Sequence, residues 1–134
     1  MTKTISTTEL AEGIDHFARG FAALADHIPA RASYRQALAF MLLAQADLAG
    51  RKMTVSDLRD AAGDDLNGLP KLGQSIERTY QLFLAPTKQE PNGLGWLKQV
   101  PDDDDRRKKY LRLTSEGLAV ANHAVAALRQ PMEP

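Results

Sequence analysis

Apolar residues at Leu10, Ile14, Phe17, Phe21, Leu24 and Ile28 step by four, three, four, three and four positions. That is heptad spacing, a narrow stripe along one helix. Ser6 followed by Glu9 predicts a capping box at its start, and Pro29 predicts its end. Ala11, Ala18, Ala22 and Ala25 flank the stripe and leave room for close helix approach. The stripe is expected to pack against a partner subunit as well as its own domain. An ordinary amphipathic core helix, whose stripe is usually wider, is the alternative.

Further along, Ala32 to Ala49 is apolar almost all round through LAFMLLA, the pattern of a central buried helix closed by Gly50. A short third helix starts at Thr54, an N-cap with Asp57 three residues on. Val55, Leu58 and Ala62 face inwards before Gly63. Asp64 to Pro70 is turn-rich, and a fourth helix is expected from about Lys71 to Leu84, closed by Pro86. Its apolar side is Leu72, Ile76, Tyr80 and Phe83, with Lys71, Gln74, Ser75, Arg78 and Gln81 opposite. Two short helices joined by a turn predict a helix-turn-helix. Amide and guanidinium groups on the outer face suit base edges in a major groove, and equally suit plain solvation.

Past a polar loop, Leu94 to Val100 predicts a strand. Lys109 to Thr114 predicts a second, with Leu111 and Leu113 pointing one way and Tyr110 and Arg112 the other. Joined by DDDDRRK, they make a charged hairpin. Thr114 then caps a last helix striped by Leu118, Ala121, Val125 and Leu128, and QPMEP is read as a frayed tail. The fold class is therefore mainly α with a small β-hairpin wing, a single domain over 1–134.

Charge changes the picture only locally. The chain has 17 basic and 17 acidic residues, and 43% of its residues are hydrophobic. Between Arg106 and Arg112, however, lie five bases and no acid. Salt screens charges beyond ~8 Å, so a nearby phosphate would meet that cluster and not the neutral total. No apolar run reaches the ~18 residues of a membrane span. The opening MTKTISTTEL has no secretory core, so a cytoplasmic location is expected. With no cysteine there is no disulfide, thiolate metal site or thiol switch.

PDDDDRRKKYLRLTSEG resembles the wing and strand signature of the MarR family of winged-helix transcription regulators. An Asp-rich turn leads to a D-R-R core, alternating strand residues and then L-T-x-x-G. Asp105, Arg106, Arg107, Leu113, Thr114 and Gly117 fall in register. The resemblance spans most of the chain. It implies a winged helix-turn-helix lobe over 32–113 and dimerisation helices over 6–29 and 114–130. It also implies a sequence-specific DNA-binding regulator, in the expected sense a repressor, acting as a homodimer on double-stranded DNA. Recognition helices would enter major grooves and wings minor grooves. Two connections, GDDLNGLP and APTKQEPNG, are longer than that pattern usually has.

Expected roles follow. Lys71, Gln74, Ser75, Arg78, Thr79 and Gln81 belong to the recognition helix, with Gln74, Ser75, Arg78 and Thr79 nearest base edges. Asp105, Arg106, Arg107, Lys108 and Lys109 belong to the wing. An Asp beside an Arg can pre-orient the guanidinium, Arg suits a narrow negative groove, and Lys108, Lys109 and Arg112 can meet phosphates. A solubilising hairpin, with ion pairs worth at most ~1 kcal/mol each, is the alternative. Leu10, Ile14, Phe17, Phe21, Leu118, Val125 and Leu128 are expected at the dimer interface.

Enzyme chemistry finds no constellation. Gly93 to Gly95 lacks the third glycine of a dinucleotide site, and the four aspartates lack calcium-loop spacing. No cofactor or metal is expected, although Glu12 and His16 share a helix face and His27 and His123 can meet if their helices pack. A small-molecule effector is a further partner the resemblance suggests. Tyr34, Phe17, Phe21, Phe40 and Met41 can line its pocket or simply form core. A winged-helix module that binds a partner protein and not DNA is the competing function.

Overall fold

The computed structural model describes residues 4–88 and 90–130, with backbone only at Glu77. The frayed tail expected at residues 131–134 lies outside the described residues. In order the elements are α1 (Thr7–Ala25), α2 (Tyr34–Leu48), α3 (Val55–Ala62), α4 (Ile76–Gln81), β1 (Leu97–Pro101), β2 (Lys109–Leu113) and α5 (Ser115–Leu128). This is a winged-helix fold. Contacts divide the chain into two units, Met1–Ala30 with Ala119–Pro134, and Arg31–Leu118.

In the first unit, Ser6 caps α1 by accepting the Glu9 amide at 3.2 Å, while its hydroxyl donates to the Glu9 carboxylate. Of the heptad stripe only Leu24 is buried, with its neighbour Ala23. Leu10, Ile14, Phe17 and Phe21 stay exposed, Phe17 at 64%. Gly20 faces Leu128 so closely that an added Cβ would touch its Cδ1 at 3.4 Å. His27 and His123 do meet, edge to face at 5.0 Å, with His123 Nε2 3.4 Å from Asp26.

The second unit is built around α2, which packs against α3, α4 and β2. Ser33 and Gln36 form a reciprocal capping box at its start. Phe40, Leu43, Ala39 and Ala46 are buried, while Tyr34 and Met41 are exposed, so α2 is less enclosed than its apolar run predicts. Thr54 and Asp57 form a second reciprocal box on α3. Bonds from the Thr54 amide and then its hydroxyl hold the Asp57 carboxyl below its ordinary range.

β1 and β2 pair antiparallel, Leu97 opposite Leu113 and Val100 opposite Tyr110. The first strand starts three residues later than expected, because Leu94 and Gly95 donate back to the carbonyls of Leu82 and Leu84. Tyr110 is buried alongside Leu111, which corrects the expected one-sided alternation. The physical reason is a third edge: Thr54 bridges to Tyr110, and the Leu111 amide donates to Met53 at 3.0 Å. Lys52 lies over the Tyr110 ring at 5.1 Å. A hydrogen bond with the Tyr110 side chain, and then its charge, raise the lysine's pKa.

The T-x-x-G of the signature acquires a physical meaning here. The Thr114 hydroxyl donates to the Gly95 carbonyl at 2.6 Å and accepts the Gly117 amide at 3.1 Å, while the Thr114 amide donates to Trp96. This brings the first turn of α5 onto the backbone of Trp96, where a Cβ at Gly117 would run into the Trp96 carbonyl. Gly117→Ala is therefore expected to cost roughly 1–3 kcal/mol of stability. Urea unfolding of the parent and the variant, compared at constant slope, measures it.

Candidate functional site

The hairpin turn is organised by its acids. The Asp102 amide donates to the Lys108 carbonyl and the Lys108 amide to the Asp105 carbonyl, both at 2.9 Å. Asp102 Oδ1 accepts the Asp104 amide, and Asp105 Oδ1 accepts the Arg107 amide at 3.1 Å. The same Asp105 oxygen also accepts Arg107 Nε at 3.2 Å. Arg107 is held from one side while its side chain stays 93% exposed. Arg106, Lys108 and Lys109 are exposed beside it. One carboxylate thus closes a turn and aims a guanidinium at solvent.

Arg112 does not join that cluster. Its Nε lies 3.1 Å from Asp47 of α2, whose other oxygen accepts the Leu113 amide at 3.0 Å. Asp47 thus ties Arg112 to the base of the wing, while the arginine side chain stays 56% exposed.

The segment expected to form the recognition helix is shorter than predicted. α4 has six residues, Ile76–Gln81, in place of about 71–84. Gly73 adopts φ +88° and closes a turn with Pro70, so Lys71 and Gln74 precede the helix. At the other end the Phe83 and Leu84 amides donate to Tyr80 and Gln81, three residues back, so the helix gives way to a turn whose Leu82, Phe83 and Leu84 carbonyls accept from Leu94, Leu97 and Gly95. Gln74, Ser75, Arg78 and Gln81 are exposed, as is Lys71. Thr79 is not, at 7% exposure. Its hydroxyl donates to the Leu72 carbonyl at 2.8 Å, which removes Thr79 from the base-reading set. Threonine next to polar neighbours reads as surface from sequence; burial of Leu72, Ile76 and Tyr80 turns it inwards.

Arg31, Gln36 and Glu90 were not anticipated here. With Arg78, Gln81 and Leu82 they line an open cavity of about 380 Å³. Gln36 Nε2 donates to the Arg78 carbonyl at 3.4 Å. No local pattern signals that neighbourhood, since Gln36 and Arg78 lie 42 positions apart. Of the residues that could line an effector pocket or form core, Phe40 is buried, while Phe17, Phe21, Tyr34 and Met41 are exposed. Among the described residues, no group of three or more His, Asp or Glu side chains is gathered for a metal ion. No described helix is long and apolar enough to cross a membrane.

No family model matches the chain, and no curated protein does. Among solved structures, the chain is similar to the PcaV transcriptional regulator from Streptomyces coelicolor, determined in complex with its natural ligand. Identity is 18%, the match covers 97% of this chain and 82% of that one, and the TM-score is 0.45.

Thr79→Val keeps the shape and removes the hydroxyl, leaving the Leu72 carbonyl short of a donor. A loss of roughly 1–2 kcal/mol is expected. Thermal denaturation measures it, and an unchanged melting temperature would contradict the inward role.

Proposed function

We propose that the chain is a sequence-specific DNA-binding transcription regulator of the MarR type, acting as a homodimer and in the sense of a repressor. The observation that carries the reading is the wing: an exposed Arg107 oriented by Asp105, flanked by Arg106, Lys108 and Lys109. Holding the guanidinium before binding reduces the conformational entropy lost on contact. Arginine is the side chain suited to a narrow, strongly negative minor groove, and the lysines suit phosphates. Lys71, Gln74, Ser75, Arg78 and Gln81 supply an exposed polar face for the neighbouring major groove. The exposed row Leu10, Ile14, Phe17 and Phe21, with Leu118, Val125 and Leu128 also exposed, supports a partner copy covering these helices. Half-sites would then lie about one helical turn apart. Cytoplasmic location belongs to this reading.

A six-residue α4 between long connections favours a second reading, a winged-helix module that binds a partner protein. Selection of bound fragments from genomic DNA, followed by footprinting, separates the two. The DNA reading requires a protected pseudo-palindromic site. It also requires affinity to fall roughly 10³–10⁵-fold between 50 and 200 mM salt, for ~6–10 neutralised phosphates. A flat salt response with no protected site leaves the protein-binding module.

Arg107→Ala is expected to lower affinity for that site roughly 10- to 100-fold, while the melting temperature stays put because the side chain is exposed. Binding equal to the parent's in a fluorescence-anisotropy titration would remove the wing from the mechanism. Phe21→Asp puts a charge into the apolar row; it should cost the dimer several kcal/mol and leave a folded monomer. Sedimentation equilibrium with circular dichroism checks both halves of that outcome.

A further inference from the structure

The hairpin takes its third edge from very little backbone. Along the outer side of β2, the Leu111 amide donates to the Met53 carbonyl at 3.0 Å, beside the bridge of Thr54 to Tyr110. Alternate residues of a strand share an edge, so the Leu113 amide points to the same side. There the acceptor is a side chain, Asp47 Oδ2, which reaches it at 3.0 Å from near the end of α2. One carboxylate thus continues the third edge by one rung. Its other oxygen accepts Arg112 Nε at 3.1 Å, and the Asp47 side chain is only 16% exposed.

Among the described residues, no other α2 side chain hydrogen-bonds the hairpin: Arg35 donates to Pro70 and Lys71, and Gln36 to Arg78. The bonds of Thr114 reach Gly95, Trp96 and Gly117, which continue from the hairpin's own strands. They secure the root without referring it to α2, the helix on which α3 and α4 also pack. Length amplifies the tie that does. Arg107 lies six residues along the chain from Leu113, roughly 20 Å at ~3.3 Å per residue. A rotation of about 10° at the root would carry the tip about 3 Å, more than a hydrogen bond tolerates. An acid is otherwise misplaced here, since it opposes the dipole at the end of α2 and repels a polyanion.

Resting on the DNA-binding reading above, we infer that Asp47 is a positioning residue for the wing. Its carboxylate sets the angle of the hairpin on α2, and so the point at which Arg107 meets the duplex. Asp47 acts through Arg107 and touches no DNA itself.

The sign of one substitution in the full-length chain tests this. Asp47→Asn keeps an acceptor for the Leu113 amide but removes a negative charge, so charge alone would tighten binding to a polyanion. Loss of positioning predicts the reverse: roughly 3- to 30-fold weaker binding, by fluorescence anisotropy, to the site the parent selects. Affinity for random-sequence DNA, which is mostly electrostatic, should hold or rise. In an Arg107→Ala background the same substitution should cost nothing, because the residue it positions is gone. Circular dichroism checks that each variant is folded at the assay temperature; a variant that does not fold makes Asp47 a stability residue only and overturns the proposal. Equal or tighter binding by Asp47→Asn, or the same loss with and without Arg107, also overturns the role of Asp47 while leaving the wing reading intact. If the parent selects no site at all, the DNA-binding reading falls first and takes this one with it.

Discussion

Phe40, Phe83 and Trp96 sit with their rings 5.0–5.5 Å apart, Phe83 and Trp96 stacked and Phe40 set against both. Each ring comes from a different piece of the second unit: α2, the turn that ends α4, and the residue before β1. Burying three such rings outweighs any surface pairing in this lobe, since removing one aromatic from a core costs about 3–5 kcal/mol. The cluster also determines function geometrically. It holds the polar face of α4 and the root of the hairpin at a fixed offset, so the segment proposed for the major groove and the finger proposed for the minor groove are aimed together.

From that centre outward, the wing becomes progressively more polar and less covered. Its root is doubly tied, by Asp47 to the Leu113 amide and Arg112, and by Thr114 to Gly95 and Gly117. The middle borrows a third edge from residues 53 and 54. Only the turn from Asp102 to Lys108 is free of the core, and there the acids substitute for packing by accepting backbone amides. Adjacent runs of opposite charge are then two parts of one device. The acids close the turn, and the bases they leave exposed make a local positive field on a chain whose total charge is zero.

The two long connections belong to the same economy of backbone bonds. Residues 64–70 close on themselves through Asp65, and in the second connection Thr87 and Glu90 exchange two hydrogen bonds. Gly93 lies so near the backbone of Leu84 and Ala85 that no Cβ fits. Beside the two connections, the residues that flank α4 are held in other bonds, Gly73 with Pro70 on one side and Leu82 and Leu84 with Leu94 and Gly95 on the other. A short helix between structured loops shifts part of any recognition surface from the helix to the loops.

The heptad step, the Ser6 and Thr54 caps, the helix order and the hairpin were all legible in the sequence, because periodicity and capping are local physics. The D-R-R turn was legible too, since an aspartate two residues before an arginine can reach both its amide and its guanidinium without help from elsewhere. Tertiary structure alone decided the rest. Arg112 became an anchor because Asp47, 65 positions away, stands beside it. Thr79 turned inwards because Leu72, Ile76 and Tyr80 took the core side, and the residues just past α4 pair with the distant amides of Leu94, Gly95 and Leu97. Competition for a hydrogen-bond partner or a buried position is settled between segments that meet only after folding, and no local pattern records the winner.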